Sequence, residues 1–147
     1  MATGVTAPIS ARNQISGKVI DIQSGTAMSV VTIAGDGQQL TSAITNQAVQ
    51  ELGLRKNDSV VALIKSTETM LVKGEMTGIK ISARNKIHGR VTGIQRGSAM
   101  GSITIDSGAM KLTSAITRQA IDELQLSNGD AVTAVFKATE VVLQKAA

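Results

Sequence analysis

The hydrophobic and polar positions of this chain form one pattern that occurs twice. In each copy, short runs of alternating or β-branched apolar residues predict strands, and one stretch with apolar residues at helical spacing predicts a short helix. In the first copy, strands are expected at 9–22, 28–33, 39–44, 59–65 and 69–72, and the helix at 45–54. In the second copy, the helix is expected at 117–126 and the strands after it at 131–137 and 141–143. Both copies are therefore expected to form a β-meander, a helix and two further strands.

Glycine and polar residues mark the turns and ends of these elements. Gly17 falls inside the first strand, where a bulge or bend would let a barrel strand turn. The sequence Gly35-Asp36-Gly37 predicts a tight hairpin, and Thr45 and Gly53 are the expected N-cap and end of the first helix. Five short strands with one short helix are typical of a small, partly closed barrel of the oligonucleotide-fold type. The expected fold class is mainly β, with two tandem five-stranded barrels that each carry one short helix.

The two copies align without a gap. The sequence Ile9-Ser10-Ala11-Arg12-Asn13 returns 72 positions later as Ile81-Ser82-Ala83-Arg84-Asn85, and about half of the aligned positions are identical. The duplication predicts an N-terminal arm at 1–8, a first domain at 9–73, a linker at 74–80 and a second domain at 81–145.

Composition favours association and a reducing compartment. Each unit of about 65 residues is near the lower size limit for independent folding, and with one Phe and neither Tyr nor Trp its core must be aliphatic. We therefore expect each unit to need its neighbour and the chain to form an oligomer. Cysteine is absent, and the N-terminal residues do not resemble a signal peptide. A cytoplasmic protein is expected.

The net charge of +4 raises the question of an anionic partner. A barrel that holds single-stranded nucleic acid normally stacks bases on aromatic side chains, and Phe136 is the single aromatic residue, in an apolar run. The basic residues are also scattered along the chain. Nucleic-acid binding is thus the least favoured function, and a salt-dependent gel shift would test it.

No constellation typical of catalysis is repeated in both copies, so an enzyme is not expected. The single histidine, His88, corresponds to Ser16 in the first copy, which argues against a conserved general base. The carboxylates that recur lack the spacing of cation ligands. Asp36 resembles part of a calcium loop, but its counterpart is Gly108 and a hairpin turn is the preferred interpretation. Neither a cofactor nor a metal cation is expected.

Hydrogen-bond donors, in contrast, recur in both copies. Those of the first copy are Ser10, Arg12, Thr41, Ser42, Thr45 and Lys65. Alternation along a strand would place Ser10 and Arg12 on one face, and a helix that starts at Thr45 would present free backbone N–H groups. These features favour an oxoanion site. The alternative is structural: Arg12 pairs with Glu51 or Asp58, Thr45 is simply a cap, and Lys65 lies along its strand. The residues alone leave both interpretations open.

Four motifs in the same order in both copies resemble the molbindin, or Mop, family of small molybdate-binding barrels. They are Ser-Ala-Arg-Asn-x-Ile-x-Gly, Gly-x-Ala-Met, Thr-Ser-Ala-Ile-Thr before the helix, and Lys-Ser/Ala-Thr-Glu at the end. The resemblance spans 9–73 and 81–145, nearly the whole chain. The chain is similar to the tandem molbindins that bacteria use as cytoplasmic molybdate stores. It implies storage or buffering of molybdate or tungstate at subunit interfaces of a homotrimer. The alternative it allows is the ligand-sensing module of a molybdate-responsive regulator.

The resemblance also implies the site residues. In this chain the family's ligands fall on Ser10, Arg12, Lys65 and Ser66, on Ser82, Arg84, Lys137 and Ala138, and, from a facing domain, on Thr45 and Thr117. A serine that some members have in the first helical turn is replaced here by Ala48 and Ala120, so backbone N–H groups are expected to make that contact. Ala138 lacks the hydroxyl of Ser66, which implies that the two repeats are not equal.

The expected donors also predict a preference among anions. Molybdate carries no proton at neutral pH, so a site made of donors can satisfy all of its oxygens. Phosphate usually carries one proton that needs an acceptor, and no Asp or Glu belongs to the expected set. The sequence therefore predicts weaker binding of phosphate.

Overall fold

The computed structural model describes residues 9–35, 37–74, 76, 78, 80–108 and 110–146. The predicted arm at 1–8 and Asp36 of the predicted hairpin lie outside this range. The elements are β1 (Asn13–Ser24), β2 (Met28–Gly35), β3 (Gln38–Thr45), α1 (Asn46–Leu52), β4 (Ser59–Ile64), β5 (Met70–Lys73), β6 (Asn85–Arg96), β7 (Met100–Asp106), β8 (Lys111–Thr117), α2 (Arg118–Leu124), β9 (Ala131–Phe136) and β10 (Val142–Lys145). Two 3-10 helices, Ser66–Glu68 and Ala138–Glu140, precede β5 and β10. The predicted fold class is confirmed.

The first strand starts later than the sequence predicts. Ser10 and Arg12 precede β1, so the expectation that strand alternation places them on one face is wrong. The cause is the length of the partner strand: β4 ends at Ile64, opposite Asn13, and offers no further backbone groups to residues 9–12. The residues before Asn13 therefore leave the sheet and run across its end.

The last strand of each repeat pairs with the other repeat. Both sheets are antiparallel and contain five strands, in the order β10-β4-β1-β2-β3 and β5-β9-β6-β7-β8. Strand β5 pairs with β9 of the second repeat, while β10 pairs with β4 of the first. The 3-10 helices turn the chain away from its own sheet after β4 and β9. Each barrel is thus composed of four strands from one repeat and one from the other.

Gly17 and Gly89 are needed for close approach between strands. A Cβ atom at Gly17 would lie 2.7 Å from the Ala34 carbonyl O, and one at Gly89 would lie 2.6 Å from the Asp106 carbonyl O. The bulges themselves come slightly later, between Val19 and Asp21 in β1 and between Val91 and Gly93 in β6. The bend predicted near Gly17 is therefore present, but the extra residue is not the glycine.

One hydrophobic core runs through both repeats. Its buried members include Val19, Ile33, Leu40 and Val60 of the first repeat and Ile103, Ile105, Leu112 and Phe136 of the second. Because the exchanged β10 contributes Leu143 and the residue before it is the buried Val141, the core contains side chains from both halves of the sequence. The expectation that each unit needs its neighbour agrees with this shared core.

Two asparagines connect the repeats reciprocally. Asn13 Oδ1 accepts from the Thr113 backbone N at 2.7 Å, and Asn13 Nδ2 donates to the Thr113 carbonyl O at 2.9 Å. Asn85 makes the equivalent pair of bonds with Thr41, at 2.8 and 2.9 Å. Both asparagines are 2% exposed, so the bonds satisfy polar groups that water does not reach. The Asn13 side chain thus links β1 to the backbone of β8, and the Asn85 side chain links β6 to the backbone of β3, where no strand pairing joins them.

Lysines fix the ends of the exchanged strands. Lys145 Nζ donates to the Gly53 carbonyl O at 3.0 Å and lies 3.4 Å from Asp58 Oδ2. Lys73 Nζ donates to the Gln125 carbonyl O at 3.0 Å and lies 3.5 Å from Asp130 Oδ2. Both lysines therefore bind a carbonyl at the C-terminal end of a helix, where the helix dipole favours a cation.

The pKa of Asp58 predicts an acid-sensitive contact. The Arg55 backbone N–H, with the nearby Lys145 ammonium, lowers the pKa of this carboxyl below its ordinary value of 3.8. Since the folded-state pKa is lowered, the stabilisation is present at neutral pH and is lost as the pH falls through that lowered value. We expect Asp58→Asn to lower the melting temperature at pH 7, with a difference from the unsubstituted protein that shrinks toward pH 3. Melting curves across this range test it, and a constant difference would contradict it.

Candidate oxoanion site

A cavity of about 180 Å³ lies where the chain enters β1. Its lining includes Ser10, Lys65, Thr139 and Glu140, with apolar walls from Ile9, Ala11, Leu63 and Val142. Arg12 lies between Ala11, which lines the cavity, and the buried Asn13. Three of the sequence-predicted residues, Ser10, Arg12 and Lys65, are therefore brought to one end of the first sheet.

The cavity is a composite of the two repeats. Lys65 follows the last residue of β4, and β10 pairs beside β4 with Val142 opposite Leu63. This register brings the second 3-10 helix, Ala138–Glu140, next to Lys65. Ser10 and Lys65 come from the first repeat, whereas Thr139 and Glu140 come from the second. Ala138 thus belongs to the helix beside Lys65.

The same register applies at the other sheet. Asn85 lies opposite Phe136 at the end of β9, and Met70 of the exchanged β5 lies opposite Val135. The first 3-10 helix, which starts at Ser66, therefore leads toward the strand that ends beside Lys137. Ser82 and Arg84 precede β6 as Ser10 and Arg12 precede β1. The exchange of strands thus directs the 3-10 helix after Lys65 toward the second sheet and the 3-10 helix after Lys137 toward the first.

The four predicted cations have no acidic partner in the part of the chain that the structure describes. Arg12, Lys65, Arg84 and Lys137 are exposed, and none has a side-chain hydrogen bond or ion pair with a described residue. The alternative in which Arg12 pairs with Asp58 is wrong. The Asp58 carboxylate instead accepts a hydrogen bond from the Arg55 backbone N and pairs with Lys145. The positive charge beside the cavity, and at the equivalent end of the second sheet, is therefore available to an external anion.

One carboxylate, however, belongs to the cavity. Glu140 lines the same space as Ser10 and Lys65, contrary to the expectation that no Asp or Glu is part of the donor set. It was missed because it comes from the other repeat and reaches the cavity through the exchanged strand. A carboxylate can accept a hydrogen bond from the O–H group of a monohydrogen oxoanion. The prediction of weaker phosphate binding, which assumed a site made only of donors, therefore does not hold for this cavity.

Thr45 and Thr117 are helix N-caps, as predicted. Their hydroxyl oxygens accept from the backbone N of Ala48 and Ala120, each at 3.0 Å. Each hydroxyl proton remains available for another acceptor, but the N–H groups of the two alanines are already used. The N–H groups of Ala48 and Ala120 are therefore not the ones that could replace the missing serine, and a contact from other backbone N–H groups stays a prediction.

Within one chain, the capping threonines are separate from the cavity. Thr117 lines a different surface recess, together with Ser98, Ala99 and Arg118 among others. A site that includes a capping threonine together with Ser10 and Lys65 would need a second copy of the chain. The contribution of Thr45 and Thr117 from a facing domain thus stays a prediction.

Sequence reasoning missed two groups of residues around the site. Asn13 and Asn85 are the last residues of the repeated Ser-Ala-Arg-Asn motif, and they act between the repeats. Thr139 and Glu140 belong to the repeated Lys-x-Thr-Glu motif. Their repetition was the available signal, but their positions depend on the strand exchange. Among the described residues, no group of three or more His, Asp or Glu side chains has the arrangement of a metal site.

No helix in the described part of the chain is long and apolar enough to cross a membrane.

The TOBE domain model matches residues 9–71 and again 81–143. The molybdenum transport protein ModE of Herbaspirillum seropedicae is 40% identical over 138 residues, which cover 91% of this chain and 50% of ModE. The chain therefore spans about half the length of that relative.

Two further relatives match to their full or nearly full length. Molybdenum-pterin-binding protein 1 of Clostridium pasteurianum is 46% identical over 66 residues, 44% of this chain and 96% of its own. The solved structure of the cytoplasmic molybdate-binding protein ModG, with molybdate bound, superposes with a TM-score of 0.90 at 31% identity, covering 95% of this chain and 99% of ModG. This agreement extends over both repeats and their order. The chain belongs to the TOBE domain family and consists of two TOBE domains in tandem.

Proposed function

We propose that this protein binds and stores molybdate or tungstate, in the cytoplasm, at the composite cavity beside Lys65 and at the equivalent place beside Lys137. The observation that carries the proposal is the pair of exposed cations, Arg12 and Lys65, which have no partner among the described residues and lie beside a cavity that Ser10 also lines. A dianion with four equivalent oxygens matches a guanidinium, an ammonium and hydroxyl donors. The similarity to molybdate-bound ModG along almost the whole of both chains supports the choice of anion.

The proposal includes assembly into a homotrimer. The cavity is open to solvent at Ser10 and Lys65, and apolar side chains beside it are exposed, Ile9 by 48% and Val142 by 55%. Met70 and Ile81, their counterparts at the other sheet, are exposed by 44% and 39%. Burying such side chains against other copies would be favourable and would bring a capping threonine toward the bound anion. The complete ligand set proposed is Ser10, Arg12, Lys65, Ser66, Ser82, Arg84, Lys137, Ala138, Thr45 and Thr117.

Calorimetric titration with sodium molybdate tests the function, with the mass of the assembly measured on the same sample. We expect saturable binding of several anions per trimer, because each chain supplies two of the proposed sites. Titrations with sodium sulfate and sodium phosphate are the matched controls. Phosphate has particular interest because Glu140 provides an acceptor for its proton. Absence of heat with molybdate and tungstate, or equally strong binding of sulfate, would contradict the proposal.

A further inference from the structure

A buried hydroxyl joins the two segments that border the cavity of the first repeat. Thr69 follows the first 3-10 helix and is 2% exposed. Its Oγ1 donates to the Lys65 carbonyl O at 3.2 Å and accepts from Asn13 Nδ2 at 3.5 Å. Thr69 therefore connects the backbone of Lys65 with the side chain of the residue next to Arg12.

The same network reaches the second repeat. Ser114 Oγ donates to the Thr69 carbonyl O, and the Asn13 carboxamide forms its two bonds with the Thr113 backbone. Ser114 is fully buried, so these bonds are shielded from competing water. Asn13 is thereby held on both sides, by Thr113 in β8 and by Thr69.

The second repeat has the network without this hydroxyl. The counterpart of Thr69 is Val141, which is 1% exposed. Ser42 Oγ donates to the Val141 carbonyl O at 2.7 Å, and Asn85 keeps its bonds with Thr41. The Lys137 carbonyl O accepts from the Glu140 backbone N at 3.0 Å, and no other described group donates to it. The Lys65 carbonyl O, in contrast, accepts from both the Glu68 backbone N and Thr69 Oγ1.

We propose that Thr69 is a positioning residue that raises the affinity of the Lys65 cavity for its oxoanion, and that Val141 leaves the corresponding proposed site at Lys137 without this contribution. The inference rests on the proposed function. Arg12 and Lys65 are exposed side chains whose ordering on binding costs conformational entropy. If the backbone between Asn13 and Lys65 is already fixed before binding, only the side chains remain to be ordered, and the total entropic cost of binding is smaller. Thr69 itself is buried and does not line the cavity.

The exchange of Thr69 and Val141 tests this inference with nearly equal side-chain volumes. Thr69→Val, made in Arg84→Ala protein so that the Lys65 cavity is measured alone, should weaken molybdate binding by about two- to tenfold, the range for one lost hydrogen bond. Thr69→Ser keeps the hydroxyl and should restore the affinity. Val141→Thr, made in Arg12→Ala protein, should strengthen binding at the proposed Lys137 site by about twofold or more.

The readouts separate a positioning role from a structural one. A lower melting temperature with an unchanged molybdate dissociation constant in Thr69→Val would overturn the inference, since a merely structural hydroxyl stabilises the free protein alone. If Thr69→Val does not fold, Val141→Thr decides the matter, and an unchanged dissociation constant there overturns it. Binding of molybdate by the unsubstituted protein together with unaffected variants would refute the inference alone. No binding by the unsubstituted protein would refute the proposed function as well.

Discussion

Replacing Arg12 by alanine should weaken oxoanion binding at the Lys65 cavity by at least about tenfold, because a hydrogen bond to a charged group contributes about 1.5–3 kcal/mol. Arg12 has no acidic partner among the described residues, so its guanidinium is free to form two parallel bonds to one anion. Arg84→Ala should have the same effect at the proposed site of the second repeat. Calorimetric titration with molybdate should show the number of bound anions falling in each variant.

Lys18→Ala is the matched control for Arg12→Ala. Lys18 is an exposed cation on β1 that does not line the cavity, and its removal changes the net charge by the same amount. Long-range electrostatics would affect both variants alike, whereas direct contact affects Arg12→Ala alone. Unchanged stoichiometry and affinity in both Arg12→Ala and Arg84→Ala would refute the assignment of the two arginines.

Replacing Asn13 by alanine should lower the free energy of unfolding by about 2–4 kcal/mol, since it removes a buried carboxamide and leaves two backbone groups of the half-buried Thr113 without their partners. The carboxamide satisfies both the N–H and the carbonyl O of Thr113, which lies 100 residues away in the sequence. Asn85→Ala should cost a similar amount through Thr41. Urea unfolding of both variants measures the effect.

Gln39→Ala is the control for the loss of a carboxamide from a strand. Gln39 is exposed on β3, and removal of its side chain should change the free energy of unfolding by less than about 0.5 kcal/mol. If Asn13→Ala behaved like this control, the asparagines would not be the connection between the repeats. A normal unfolding slope in the variant would further show that the fold itself is retained.

Features with a local cause followed from the sequence. The helix caps are examples: Thr45 and Thr117 begin α1 and α2, and the left-handed Gly53 ends α1, because the groups that cap a helix lie within a few residues of its end. The repeated motifs likewise predicted two similar barrels and the tandem family. Of the site, Ser10, Arg12 and Lys65 were predicted as a set, and the structure brings them to one end of a sheet.

The chain pairing at the repeat boundary was decided by the tertiary structure. The short strands β5 and β10 have the same pattern whether they pair within a repeat or between repeats, because an antiparallel partner requires only alternation and a free edge. The 3-10 helices and the buried Asn13 and Asn85 favour the exchange, and their bonding partners are far away in the sequence. The sequence by itself therefore determined the elements, the duplication and the donors near β1 and β6. The tertiary structure alone decided that Glu140 joins Lys65 and that the cavity there is made by both repeats, since that depends on which edge strand each repeat receives.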